Sequence, residues 1–249
     1  MAGKVILITG GGRGIGRATA IKAAAQGYAV VINYKTNKAA AEEVVAEIAE
    51  KGGNAIAIAA DISKEDEVVN LFNKIDATFG RLTALVNNAG ILEKQSPVEG
   101  MSAERLQRVF ATNVIGTFLC SREAVKRMST KHGGSGGGIV NISSKAATHG
   151  APFEYVDYAS TKGAVDTFTF GLSKEVAADG IRVNAVRPGI IKTEIHASGG
   201  EAGRAERMAP MIPMLRSGEP EEVASTILWL LSEGASYITG ALVDVTGGR

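Results

Sequence analysis

The chain has 249 residues, of which 45% are hydrophobic and 5% aromatic, and 27 lysines and arginines nearly balance 26 aspartates and glutamates. This composition favours an α/β domain packed with small aliphatic side chains over a β-sandwich. A net charge near zero, without a basic stripe, argues against capture of nucleic acid or of an anionic membrane. We therefore expect a small-molecule ligand.

Apolar strand-like runs alternate with longer helix-like segments along the chain. The predicted strands are 5–8, 29–34, 55–60, 82–87, 138–143, 181–187 and 241–245. A first helix is predicted from Ile15 onward, and later helices are predicted at 39–51, 65–79, 103–130, 157–178 and 219–231. This alternation predicts βαβ crossovers and a mostly parallel sheet with helices on both faces, without a linker or repeat that divides it.

The octet TGGGRGIG, residues 9–16, joins the first strand to the first helix. The first backbone N–H groups of a helix are unpaired, and glycine lets a phosphate approach them while permitting positive φ. The octet alone fits an ordinary turn as well as a nucleotide site. Its place between strand and helix favours a pyrophosphate-binding loop.

Two segments interrupt the alternation. The glycine-rich stretch 133–138 predicts a flexible turn between a helix and the next strand. The segment 193–216 contains three glycines and two prolines and is long for a loop of a compact domain. We predict that 193–216 is a substrate lid.

The cysteine and histidine residues predict no disulfide and no metal site. Cys120 is the single cysteine and lies in an apolar stretch, which predicts a buried inert thiol in a reducing cytoplasm. His132, His149 and His196 lack metal-ligand spacing, and solvated loop positions are expected for His149 and His196. No apolar run is long enough for a membrane span, and no signal peptide precedes the first strand.

Six motifs stand in a characteristic order along the chain. They are Thr9-Gly10-x-x-x-Gly14-x-Gly16, Asp61, Asn87-Asn88-Ala89-Gly90, Asn113, Ser144 ahead of Tyr158-x-x-x-Lys162, and Pro188-Gly189. With these motifs the chain resembles the classical short-chain dehydrogenases/reductases over essentially its whole length, and within them a bacterial branch of sugar-dehydrogenase-like and oxoacyl-reductase-like members. The resemblance implies one doubly wound Rossmann domain over 1–249, with a parallel sheet of about seven strands. It also implies an NAD(P)-dependent oxidoreductase that moves hydride between the cofactor and a small carbonyl or alcohol.

Tyr158 and Lys162 are the first pair of candidate catalytic residues. At i and i+4 they share one face of a helix, where the ammonium would lower the tyrosine pKa towards the working pH. Alone, the same spacing fits a surface pair. The intact motif set favours Tyr158 as general acid and base.

Ser144 and Asn113 complete the catalytic candidates. Ser144 would hydrogen-bond the substrate oxygen. It lies fourteen residues before Tyr158, one more than the commonest family spacing, so Ser143 stays open as an alternative. Asn113 resembles the family residue that holds a water linking the lysine to solvent.

The second strand ends in Asn33-Tyr34-Lys35 without the carboxylate that NAD-binding folds place on the ribose. Together with Arg13, this predicts NADP(H) over NAD(H), although an arginine at this loop position also occurs in NAD-dependent relatives. Asp61 would bind the adenine amino group or, together with Ser63 as an alternative, cap the next helix. Asn88 and Gly90 fit a plain turn as well as a cofactor contact. The predicted cofactor-binding residues are Gly10, Arg13, Gly14, Ile15, Gly16, Asn33, Tyr34, Lys35, Asp61, Ile62, Asn88, Ala89, Gly90, Tyr158, Lys162, Pro188, Gly189, Ile191 and Thr193.

Two other functions remain open at this stage. One is an oxoacyl-[carrier protein]-type reductase, which Asp179 disfavours where relatives often carry an arginine and which the basic end of helix 103–130 favours. The other is an NADP-binding sensor without turnover. The resemblance further implies a homotetramer built through the helices 103–130 and 157–178 and the final segment 237–246.

Overall fold

The structure, a computed structural model, describes residues 3–249 and is organised around one parallel sheet of seven strands. The strand order is β3-β2-β1-β4-β5-β6-β7. The strands are β1 (Val5–Ile8), β2 (Ala29–Tyr34), β3 (Asn54–Ala59), β4 (Ala84–Asn87), β5 (Gly137–Ile142), β6 (Ile181–Pro188) and β7 (Leu242–Val245). The predicted doubly wound sheet is therefore confirmed, with strand ends within about two residues of the expected ones.

Helices connect successive strands and cover both faces of the sheet. They are α1 (Gly14–Ala25), α2 (Lys38–Glu50), α3 (Glu65–Phe79), α4 (Ala103–Phe110), α5 (Gly116–Met128), α6 (Ala146–His149), α7 (Val156–Val176), α8 (Ile195–Ser198), α9 (Arg204–Met208) and α10 (Pro220–Leu231). Most match the predicted helices. The two short helices α8 and α9 lie in the segment expected to form the lid.

Side-chain alternation along the strands divides the core into two layers. Ile6 and Ile8 of β1 pack with α1, α2 and α10 on one face. Leu7, from the same strand, packs with α3, α5 and α7 on the other. A strand buried on both sides must be apolar at every position, which explains the uninterrupted run of β1.

The predicted helix 103–130 is the main correction to the expected elements. A π-helical turn at Ala111–Ile115 separates α4 from α5. The π-helical turn adds a residue to the helical repeat and redirects the chain there. Apolar periodicity does not reveal it, because the residues on both sides remain helical.

The glycine-rich stretch 133–138 is a tightly packed turn rather than simply a flexible one. Gly136 has φ +80°, and a side chain there would meet the Gly180 carbonyl at 2.5 Å. A β-carbon at Gly137 would also approach the Thr83 backbone. Glycine is required here by the close approach of neighbouring backbone.

Cys120 has no exposed surface, and burial raises the pKa of its thiol to about 12. The prediction of a buried, inert thiol is confirmed. Among residues 3–249, no helix combines the length and the apolar character needed to cross a bilayer. The reducing cytoplasm inferred from this cysteine stays a prediction.

A buried ion pair fastens the start of α7 to α4. Arg105 donates from Nε to Asp157 Oδ2 at 2.7 Å and from a terminal nitrogen to Oδ1 at 3.2 Å. The two side chains are 10% and 1% exposed. A third hydrogen bond joins Arg105 to the Lys94 carbonyl at 2.7 Å. The pair thus links α4 and the 92–97 loop to the helix that carries Tyr158.

We predict that Arg105→Met lowers the free energy of unfolding by about 3 kcal/mol, because Asp157 would remain buried without its partner. Arg108→Met is the matched control on the same helix, since Arg108 pairs with Glu93 at an exposed site. Its loss should cost less than about 1 kcal/mol. Urea unfolding of both variants provides the measurement, and equal costs would contradict the argument.

Candidate active site

A cavity of about 750 Å³ follows the carboxyl ends of the strands on both sides of the point where their order reverses. In doubly wound sheets this is where ligands bind, here between β1 and β4. All predicted site residues line the cavity except Gly16 and Asn113. The sequence motifs, far apart along the chain, therefore meet at one place.

The glycine loop between β1 and α1 has the backbone that the sequence predicts. Gly10 and Gly14 have φ of +63° and +51°, values that side chains disfavour. A β-carbon at Gly10 would lie 3.0 Å from the Ala89 backbone. Arg13 occupies the N-cap of α1 with no side-chain cap, which leaves the helix start available to an anion.

Asn88 holds this loop in place. Its Nδ2 donates to the carbonyls of Thr9 at 2.9 Å and Gly10 at 3.0 Å. In return, the Thr9 hydroxyl accepts from the backbone nitrogens of Asn88 and Ala89, both at 3.0 Å. Gly16 packs beneath, since a β-carbon there would lie 2.6 Å from Asn88 Nδ2. Asn88 and Gly16 therefore shape the loop from behind.

At the far end of the cavity, the predicted adenosine residues form an ion pair. Lys35 Nζ lies 2.7 Å from Asp61 Oδ2. Although burial opposes it, hydrogen bonds from Lys35 and Ser63 hold the Asp61 pKa below its usual value. Asn33 is buried, and its Nδ2 donates to the Ala60 carbonyl at 3.0 Å. Arg13, which is exposed, lines the same cavity.

The alternative role of Asp61 as a helix cap is corrected by the structure. Helix α3 begins at Glu65 with Lys64 as N-cap, so neither Asp61 nor Ser63 is the cap. Asp61 instead accepts from the Ser63 backbone nitrogen at 3.1 Å, in a turn over residues 61–63 that directly precedes that cap.

The catalytic candidates meet at the carboxyl end of β5. Ser143 turns towards α7, where its hydroxyl donates to the Lys162 carbonyl at 3.2 Å. Ser144 accepts from the Ala146 backbone nitrogen at 3.1 Å, and its hydroxyl approaches the Tyr158 phenol closely enough to lower the pKa of that phenol. The adjacent serines thus point different ways, and Ser144 is the one beside the phenol.

Burial governs the protonation of the Tyr158–Lys162 pair. Loss of water raises the pKa of Tyr158 to about 12, against a smaller lowering by the Ser144 hydrogen bond. It lowers the pKa of Lys162 to about 8. The ammonium donates to the Ile142 carbonyl at 2.6 Å and lies 5.4 Å from the centre of the tyrosine ring. The expectation that Lys162 depresses the tyrosine pKa is therefore wrong for this structure, because burial raises that pKa.

Asn113 lies at the centre of the π-helical turn and is 1% exposed. Its Oδ1 accepts from the Ile91 nitrogen at 2.8 Å, and its Nδ2 donates to the Ile91 carbonyl and the Thr161 hydroxyl at 3.0 and 3.1 Å. A β-carbon at Gly90 would lie 3.4 Å from Asn113 Oδ1 and 3.5 Å from Lys162 Nζ. Asn113 thus joins the end of β4 to α7 from behind the cavity.

The segment 193–216 is fastened across the cavity by side chains that sequence analysis does not identify. Arg204, 8% exposed, donates to Glu154 at 3.1 Å and Glu201 at 3.0 Å and lies over the Tyr155 ring at 5.4 Å. The Tyr155 hydroxyl donates to the Gly199 carbonyl at 3.1 Å. Their only signal in sequence is a pair of charges 50 residues apart.

Beneath this segment the cavity has an apolar wall. It is formed by Leu92, Ala146, Ala151 and Tyr155, which pack with Ala159. His149 is exposed at the edge, as expected, with Nδ1 accepting from the Ala151 nitrogen. His196 is 8% exposed and bonded to the Ile191 carbonyl at 2.8 Å, so the expectation that it is a solvated loop residue is wrong. Among residues 3–249, no cluster of three acidic, His or Cys side chains could hold a metal ion.

Comparison with known proteins gives consistent relatives along the whole chain. A family model described as enoyl-(acyl carrier protein) reductase matches residues 10–249. An uncharacterized oxidoreductase of Escherichia coli, YgfF, is 59% identical over 98% of this chain and 99% of its own. Glucose 1-dehydrogenase 2 of Bacillus subtilis is 37% identical over 100% of this chain and 95% of its own.

A solved structure has the same architecture. The 3-ketoacyl-(acyl-carrier-protein) reductase of Brucella melitensis, complexed with NADH, superposes with a TM-score of 0.91 at 36% identity. The match covers 99% of this chain and 98% of that one.

Proposed function

Because the chain belongs to the short-chain dehydrogenase/reductase family and is an NAD(P)-dependent oxidoreductase, we propose that it reduces a small carbonyl substrate with NADPH, with Tyr158 as general acid and base. The observation that carries this proposal is the meeting of Tyr158, Ser144 and Lys162 beside the glycine loop. A phenol that stays protonated at neutral pH is suited to donate a proton to a ketone oxygen.

The residues present fit a dinucleotide. Gly10 and Gly14 leave the α1 N-terminus open for a pyrophosphate, and Gly90 leaves space beside Lys162 that a side chain would fill. Pro188, Gly189, Ile191 and Thr193 would bound the nicotinamide site, and Ile62 and Asp61 the adenine site. When bound, the cofactor supplies or accepts the hydride.

Each catalytic residue then has a proposed task. The Tyr158 phenol gives its proton to the substrate oxygen as hydride reaches the carbonyl carbon, and the alcohol is released. Ser144 donates a hydrogen bond to that oxygen as negative charge develops on it. Lys162 stabilises the phenolate left behind and binds the cofactor ribose. Asn113, through Ile91 and Thr161, positions the loop and helix on which Lys162 depends.

We predict that Tyr158→Phe abolishes NADPH oxidation on every substrate, at least a hundredfold below the wild type, because the proton donor is removed. The panel is small ketones, diketones, sugars and oxoacyl thioesters. Cofactor binding, followed by nicotinamide fluorescence, should persist. Tyr28→Phe is the control, since Tyr28 is a buried tyrosine of the sheet core. Unchanged turnover in Tyr158→Phe would refute the assignment.

The preference for NADPH is proposed from the charges at the adenosine end. β2 ends in Asn33 and Tyr34 and is followed by Lys35, and these residues provide no carboxylate to repel a 2′-phosphate. Arg13 is exposed there, with Lys35 beside Asp61. NADH is the cofactor of the Brucella melitensis complex, so use of NAD(H) by this chain is the alternative.

We predict that Arg13→Ala weakens NADPH binding about tenfold and leaves NADH binding within twofold, because only NADPH carries a 2′-phosphate for the guanidinium to bind. Arg17→Ala is the matched control, since Arg17 is also exposed on α1 but pairs with Glu47. Dissociation constants from fluorescence titration decide the question. Equal weakening of both cofactors would assign Arg13 a structural role.

A free small substrate is favoured over one delivered by a carrier protein. Three of the four basic residues of the predicted helix end are paired with carboxylates: Arg122 with Glu65, Lys126 with Glu123, and Arg127 with Asp76. The fourth, Lys131, is exposed after the end of α5. Neutralised cations attract an acidic carrier weakly. Within the panel, the free-substrate proposal expects sugars or ketones to exceed carrier-bound oxoacyl groups in kcat/KM. The reverse order would establish the carrier-dependent alternative.

The 193–216 segment is proposed to act as the lid of the substrate site. The Arg204 contacts to Glu154 and Glu201, with the Tyr155 hydrogen bond to Gly199, support this proposal. These contacts would hold α8 and α9 beside the apolar wall that a small substrate would contact. Ordering and release of this segment would then control substrate entry.

A homotetramer is proposed from the exposed apolar faces of the long helices and the C-terminal region. Ile115, Phe118 and Phe170 are each about half exposed, and Trp229 and Tyr237 are exposed on another side. We predict sedimentation as a tetramer at micromolar concentration, and a smaller species for Phe118→Glu. Phe153→Glu, at an exposed phenylalanine between α6 and α7, is the control. A monomeric wild type would contradict the proposal.

A further inference from the structure

Asp166 is a buried carboxylate that lies one helical turn beyond Lys162 on α7. Its side chain is 13% exposed, and Oδ1 is enclosed without a hydrogen-bond partner. Burying an unsatisfied carboxylate is unfavourable. A residue of this kind at this position therefore needs a compensating interaction.

The groups that face Asp166 come from three elements. Arg187 of β6 approaches Oδ2 at 3.7 Å, but its Nε is engaged by Asp244 of β7 at 2.6 Å. Asp244 also binds Lys145 at 2.7 Å. Ser143 of β5 and Lys162 of α7 complete the surroundings. Arg187 is thus shared between two carboxylates, and it neutralises Asp166 only in part.

Lys162 has the opposite deficiency. Lys162 as a whole is 4% exposed. Its ammonium donates to the Ile142 carbonyl and lies near the Tyr158 ring, Asn113 and Gly90. None of these neighbours is an anion at neutral pH. Burial favours the uncharged amine, and the charge of Asp166 opposes that effect. Asp166 carries this negative charge one helical turn away on α7, within the same buried surroundings.

We propose that Asp166 is a positioning residue that keeps Lys162 in its ammonium form during turnover. This proposal rests on the proposed function, in which Lys162 must be charged to stabilise the phenolate of Tyr158. Residues at i and i+4 on a helix are neighbours, so the attraction acts across one turn of α7 and through little water. Asp166 contacts neither the cavity nor the reacting atoms and acts only through Lys162.

Because Lys162 is a cation, removal of the Asp166 charge should shift the pH dependence of reduction in one direction. The Lys162 pKa is already lowered to about 8 by burial, so its proton is lost just above neutral pH. Without the negative charge of Asp166, the ammonium should lose its proton at lower pH still. Carbonyl reduction should then decline earlier as the pH rises.

The test compares pH profiles of kcat/KM for the wild type, Asp166→Asn, Asp166→Glu and Glu175→Gln. Asparagine keeps the shape of Asp166 without its charge, whereas glutamate restores the charge. Glu175→Gln removes a negative charge from an exposed position of the same helix. In Asp166→Asn we expect the alkaline decline of kcat/KM to occur at a pH about one unit lower than in the wild type. It should return towards the wild-type position in Asp166→Glu and stay there in Glu175→Gln.

A second readout does not require activity. The ¹³Cε resonance of Lys162, assigned by its absence in Lys162→Arg, should titrate at lower pH in Asp166→Asn than in the wild type. Thermal unfolding of each variant identifies any loss of fold. Superimposable limbs and titrations in wild type and Asp166→Asn would overturn the role of Asp166. If the wild type shows no turnover but the Lys162 titration of Asp166→Asn is shifted relative to it, the result would instead count against the proposed function.

Discussion

The site depends on the hydrogen bonds that join Thr9 to Asn88 across the reversal of strand order. β1 and β4 are neighbours, but the helices that follow them pass to opposite faces of the sheet, so a crevice opens at their ends. The reciprocal hydrogen bonds between Thr9, Asn88 and Ala89 join the segments that follow β1 and β4 at the floor of that crevice. The glycine loop above is positioned by the sheet rather than by its own sequence.

Burial of side chains at this crevice determines the protonation of Tyr158 and Lys162. Lys162 is buried and Tyr158 is partly buried, and loss of water shifts the pKa of each towards its uncharged form. A neutral phenol suits proton donation, but a neutral lysine would not stabilise the phenolate that donation leaves. Reduction therefore needs the Lys162 ammonium to stay charged, although burial disfavours the charged forms of both side chains. Asp166, outside the cavity, can stabilise that charge without repelling an anionic cofactor.

The sequence predicts those parts of this molecule that are set by local pattern. Buried strands on two faces require continuous apolar runs, so β1 to β7 were recognisable with small errors at their ends. The glycine positions of the phosphate loop and the i, i+4 spacing of Tyr158 and Lys162 are likewise local. Of the predicted site residues, only Gly16 and Asn113 do not line the cavity.

What could not be predicted depends on contacts between distant segments. The π-helical turn carries Asn113, which bonds Ile91, twenty-two residues away, and helix propensity does not express that contact. The attachment of Arg204 depends on Glu154 of another loop. The tyrosine pKa depends on burial, which no spacing of residues expresses, so a local argument from the lysine charge predicts the wrong direction. Sequence identifies which groups meet in this site, whereas their protonation is decided by the packing that surrounds them.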